Sequence, residues 1–250
     1  MPSSLLNYAK KLTAVLLFLS TVLLFGFHKK TPRILVFSKT KGFHHASIPK
    51  GIEAIEQLGK DNGFAVDTST NATLFTEHNL KKYKAIIFLS TTGDVLDEEQ
   101  QKAFQSYIHH GGGFVGIHAA TDTEYGWPWY NSFIGAYFKS HPKQQEAMLH
   151  RTDSSFIATK ALPGIWKHFD EWYNFKSLQL DHAHILLTVD ENSYSGGQNG
   201  SMHPISWYQS FEGGRMFYTA LGHTDACYTD PLFLQHLWGG LQYAMYGKEE

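Results

Sequence analysis

From residue 33 onward, short apolar runs alternate with amphipathic stretches. Residues 33–38 (RILVFS) suit a buried parallel strand. Ile48, Ile52, Ile55 and Leu58 then recur at helical spacing. Ser47 is placed to cap that helix, Pro49 is tolerated in its first turn, and Gly63 is placed to end it. Residues 64–68 alternate like a second strand, and 84–90 (KAIIFLS) predict a third. Asp97 is placed to cap a helix with Phe104, Tyr107 and Ile108 inward; glycines 111–113 end it, and 114–117 read as a fourth strand. Strand, helix, strand, strand, helix, strand at this spacing predicts an α/β fold with a mainly parallel sheet. Residues 185–189 and 214–221 compete for the fifth strand, and 140–180 read as an irregular excursion. A last amphipathic helix fits 231–246, with Leu234, Leu237, Leu241 and Met245 inward. Without an internal repeat or a Pro/Ser-rich linker, residues 31–250 are expected to form one domain.

The start of the chain follows another pattern. Residues 12–27 are an apolar run of 16 behind Lys10 and Lys11, the arrangement of a signal peptide. The run falls short of the roughly 20 residues that span a bilayer. Phe25-Gly26-Phe27 is a poor small-x-small cleavage site, so residues 1–30 are expected to be either a signal peptide or an uncleaved anchor. The protein is expected to be periplasmic or secreted, or held at a membrane only through residues 12–27.

Charge removes one class of partner. Residues 31–250 carry 17 bases against 23 acids, which disfavours a phosphate-backbone binder; no nucleic-acid partner is expected. The one cysteine, Cys227, excludes a disulfide framework and a Cys-rich zinc site. Histidine is abundant, with 15 in the chain.

Ligands of open α/β sheets bind outside the carboxyl ends of the strands. There the sequence places Lys41-Gly42-Phe43-His44-His45, Gly116-Ile117-His118-Ala119-Ala120-Thr121-Asp122 and Gly222-His223-Thr224-Asp225. Gly116-x-His118-Ala119-Ala120 has the shape of a nucleophile elbow, with imidazole where a hydroxyl or thiol would stand. His118 there is suited to be a general base, a metal ligand or a hydrogen-bond donor. Asp122, Asp170 and Glu171 are the candidate carboxylates. Trp127, Trp129, Trp172, Tyr173 and Trp207 offer flat faces for a sugar ring or for the core. The histidines at 109, 110, 141, 150, 168, 182 and 184 are assigned to structure or solvent.

Six runs in order resemble the trehalose-utilisation (ThuA-like) family: residues 40–48, 113–122, 138–142 (FKSHP), 170–175 (DEWYNF), 203–207 (HPISW) and 214–224. The resemblance implies a three-layer α/β/α sandwich, flavodoxin-like and of the class I glutamine amidotransferase type, and a link to the metabolism of glucosides and their keto derivatives. In amidotransferases of this fold the elbow holds cysteine, so His118 argues against glutaminase activity. The motif histidines are then His45, His118, His203 and His223, the motif carboxylates Asp122 and Glu171, and His141 belongs to a motif run.

The expected function is an exported enzyme acting on a glucoside, disaccharide or keto-sugar derivative. His118, Asp122 and Glu171 are the catalytic candidates. His45, His203, Trp207, Trp127 and Tyr173 are the substrate-binding candidates. His45, His118 and His223 are candidate ligands of a divalent metal such as zinc. The alternative is a catalytically inactive carbohydrate-binding domain that presents sugars to a partner enzyme.

Overall fold

The computed structural model describes residues 30–249, and Pro32–Glu250 forms one compact unit. The signal peptide or anchor expected over 1–30 lies outside the described residues, apart from Lys30. Among the described residues no helix is long and apolar enough to cross a membrane.

The first half follows the alternation: β1 (Arg33–Phe37), α1 (Ile48–Asn62), β2 (Ala65–Ser69), α2 (Glu77–Leu80), β3 (Ala85–Leu89), α3 (Glu98–His109), β4 (Gly113–Ile117) and α4 (Pro128–Ile134). The strands β5 (Tyr137–Ser140), β6 (Gln145–Arg151), β7 (Ile165–Asp170), β8 (Asn174–Lys176), β9 (His184–Val189), β10 (Pro204–Phe211) and β11 (Gly214–Thr219) follow, and α5 (Pro231–Tyr246) closes the fold. Nine strands pair in the order β2-β1-β3-β4-β11-β10-β9-β6-β7, while β5 and β8 pair separately. The first five are parallel, in the flavodoxin-like order 2-1-3-4-5 with β11 in the fifth place; the remaining pairings are antiparallel.

The sheet is covered on both faces, giving three layers. Phe217 of β11 points to α5, where a side chain at Gly240 would collide with its ring. The next residue, Tyr218, faces the other side, with Gly116 and Ile134 of α4. β1, β3 and β4 are buried on both faces, as an apolar run without alternation predicts. Asp97 and Gln100 form a capping box at α3, and Gly63 takes the left-handed conformation after α1.

Three expectations are corrected. Ser47 precedes α1 but makes no side-chain cap; its hydroxyl donates to the carbonyl of Gly222. Leu234 is only half-buried. Residues 140–180 are not irregular, because they hold β6, β7 and β8. In β7 both faces are mixed: Trp166, His168 and Asp170 are buried while Ile165, Lys167 and Phe169 are exposed, so no apolar face marks the strand.

Candidate functional site

Four side chains from four strand ends converge at one rim. His45 follows β1, His118 follows β4, Glu171 directly follows β7, and His223 follows β11. One donor atom from each lies within 4.8 Å of the others. β7 and β11 stand four places apart, roughly 19 Å in a flat sheet. The antiparallel half therefore curls back until the end of β7 meets the loop after β11.

His118 sits at the turn from β4 into a single 3-10 turn, His118–Thr121, with φ at +51°. That left-handed value is rare for a residue with a side chain and marks a position the surroundings over-determine. The imidazole is fully buried and packs on Tyr173, ring centroids 4.3 Å apart. Its Nδ1 lies 2.8 Å from the carbonyl oxygen of Ala220. A carbonyl only accepts, so Nδ1 carries the proton and Nε2 faces the cluster, 3.1 Å from His223 Nδ1 and 3.5 Å from Glu171 Oε2.

His223 is aimed by its loop. Gly222 has φ +112°, and a Cβ there would fall 2.8 Å from the Tyr228 hydroxyl. The Asp170 carboxylate accepts the N–H groups of Gly222 at 2.8 Å and His223 at 3.1 Å. The His223 ring then reaches Glu171 Oε2 at 3.1 Å. Burial alone would raise the Glu171 carboxyl, but His118 and His223 hold it well below the usual carboxylate range. Burial works against a charge on His223, and Glu171 outweighs it, so the His223 pKa is raised.

His45 crosses both rings edge-on, with centroids 4.8 Å from His118 and 5.2 Å from His223. Burial, then the two neighbouring histidines, push its pKa down to about 3, so it is neutral. Its Nδ1 is buried and has no hydrogen-bond partner, an unusual state for a ring nitrogen.

The other expected site residues are distributed unevenly. Asp122 is beside the cluster but is held by the Tyr125 hydroxyl at 2.6 Å, and burial raises its carboxyl. Tyr173 forms the floor under His118. His203 is fully buried, bonded to the Tyr173 carbonyl at 2.7 Å and to Glu191 at 2.8 Å. Trp207 is likewise sealed in the core, its indole N–H donating to the Ile134 carbonyl. Trp127 stacks on Trp129 and Tyr130. His203 and Trp207 are thus core residues that support the rim from beneath, with no face left for a ligand. His141, assigned by default to structure or solvent and raised by its place in a motif run, lies 3.1 Å from Glu171 Oε1. Phe43, 64% exposed, meets the edge of His45 at 4.8 Å. Phe43 and Tyr125 were not read as site residues; the only signal was their place in the loops that carry His45 and Asp122.

The ThuA family model, described as trehalose utilisation, matches residues 33–244. The chain belongs to the ThuA family. The family's description points to a sugar-related function. Among solved structures, a ThuA-like protein from Bacteroides uniformis is 23% identical with a TM-score of 0.74, covering 88% of this chain and 95% of that one. A ThuA-like protein from Parabacteroides merdae is 22% identical at the same TM-score, covering 88% and 92%. A β-galactosidase from Bacillus circulans shares the fold over 87% of this chain and 31% of that one, at 14% identity and a TM-score of 0.58. The comparison with curated proteins gave no match.

Proposed function

We propose that this ThuA-family chain is an exported enzyme of sugar metabolism, acting on a glucoside, disaccharide or keto-sugar derivative at a divalent ion held by His45, His118, Glu171 and His223. The convergence of these four donors carries the reading. A tetrahedral ion with ligands at the usual zinc distances sets nitrogen and oxygen donors roughly 3.4 Å apart. The separations among His118 Nε2, His223 Nδ1 and Glu171 Oε2 are 3.1, 3.1 and 3.5 Å. The unpartnered Nδ1 of His45 and the fixed tautomer of His118 suit the same role. Such an ion supplies Lewis-acid polarisation of a sugar carbonyl or activation of water.

The chain's own groups supply the rest. Asp122, its carboxyl raised by burial and held by Tyr125, is placed to give or take a proton beside His118. His141 steadies the outer oxygen of Glu171. Phe43 offers an exposed flat face to the CH side of a sugar ring. Cys227 is fully buried and outside this donor set, and burial and Asp170 push its thiol up, so thiol chemistry has no part in the reading.

His118→Asn is the test, because asparagine tolerates the left-handed backbone. It is expected to strip the ion and lower turnover on a saccharide and keto-saccharide panel by about 10²–10⁴. The melting temperature should fall, since a buried ring and the bound ion are lost, while far-ultraviolet circular dichroism should show the fold retained. Full turnover by a metal-free variant would overturn the assignment. Saccharide binding without turnover by the metal-loaded parent would replace it with a carbohydrate-binding domain.

A further inference from the structure

A second set of buried donors lies behind the first. His168 and Asp170 point inward from β7, and Cys227 comes from the turn before α5. All three are buried. Cys227 Sγ is 3.2 Å from Asp170 Oδ2 and 3.5 Å from His168 Nε2, and those two ligand-type atoms are 3.7 Å apart. Around a tetrahedral zinc ion, with a thiolate at about 2.3 Å and nitrogen or oxygen at about 2.0–2.1 Å, the corresponding edges are roughly 3.4–3.6 Å. The triangle has the dimensions of one face of such a site.

Its surroundings are those of a metal centre. Asp230 Oδ2 lies 3.5 Å from His168 Nδ1, on the side away from the triangle, the place of an outer carboxylate that orients a ligating ring. The Thr224 hydroxyl lies 3.2 Å from Cys227 Sγ and is placed to donate to a thiolate. Asp170 is further oriented by the N–H groups of Glu171, Gly222 and His223. We infer that His168, Asp170 and Cys227 form a second, structural site for a zinc-class divalent ion. Binding releases the Cys227 proton and ties β7 to the loop that carries His223. This site shares no ligand with the first, and its existence does not depend on what the first one does.

Cobalt separates the two. Cys227 is the chain's one cysteine, so a thiolate-to-cobalt charge-transfer band in the near ultraviolet has a single source. The full chain is produced in minimal medium supplemented with Co²⁺, so that the buried site loads during folding. The band is expected in the parent and in His118→Asn, and is expected to vanish in Cys227→Ser. A cobalt-grown parent without the band overturns the proposal, whether or not cobalt occupies the rim site, and this result needs no variant to fold. A band without turnover instead counts against the rim reading alone.

Discussion

Asp170 and Glu171 are consecutive residues whose carboxylates face different environments. Glu171 turns to the rim, against His118, His223 and the half-exposed His141. Asp170 turns inward, fully buried, and takes N–H bonds from Glu171, Gly222 and His223. One peptide bond separates a carboxylate that faces the rim histidines from one that turns inward, held by N–H groups beside His168 and Cys227. The difference teaches that residue type does not assign the role. What assigns it is which groups surround each carboxylate: imidazoles of the rim for Glu171, backbone N–H groups with His168 and Cys227 for Asp170.

Substituting each with its amide should separate the two environments most strongly. Asp170→Asn puts an amide donor toward groups that already donate, and the cost of a broken buried charge network is about 4 kcal/mol. Glu171→Gln keeps an oxygen for His223 and is expected to cost about 1 kcal/mol while weakening ion binding at the rim. Urea unfolding of both variants in one buffer checks this. Equal losses would remove the distinction between rim and interior.

The interior also carries His236, which burial keeps neutral, and acid should find it. His236 of α5 is fully buried between the Ala158 carbonyl, which accepts from Nδ1, and Ser206. Burial lowers its pKa to about 4. Below the ordinary value near 6.5 the unfolded chain takes up a proton that the folded chain refuses, so stability present above pH 6.5 is lost as pH falls toward 4. For His236 the loss amounts to about 3 kcal/mol across that window. His236→Gln should unfold more readily at neutral pH yet show a shallower decline of melting temperature between pH 6.5 and 4. An unchanged slope would mean that His236 is protonated in the folded state.

The parallel half of the sheet was legible because β1 after Arg33, β3 and β4 are apolar throughout, Gly63 ends α1, and left-handed Gly111 stands just beyond α3. The three rim histidines were legible because each lies in a segment that follows a strand-like run, although the run before His223 competed with 185–189 for the fifth place. β7 was not, because its buried face carries His168 and Asp170 and its exposed face Ile165 and Phe169. Missing β7 also hid the curl that brings Glu171 to the rim. Trp207 and His203 misled in the opposite direction: a flat indole face and a motif histidine read as ligand contacts, but both are buried and their ring nitrogens are spent on the carbonyls of Ile134 and Tyr173.

Phe43 sets the smallest and most specific test of the rim. Phe43 presents a large exposed apolar ring on a stretch of main chain that Thr92 holds in place. The Gly42 N–H donates to Thr92 Oγ1 at 3.1 Å, and that hydroxyl donates to the Phe43 carbonyl at 2.9 Å. Removing the ring exposes no core, so Phe43→Ala should leave the melting temperature unchanged. If the ring stacks on a sugar, the lost contact is about 1 kcal/mol, and KM should rise about fivefold. The ring would touch ground state and transition state alike, so kcat should hold. A fall in kcat at constant KM would place Phe43 in the positioning of His45 instead of in sugar binding, because the two rings meet edge to face.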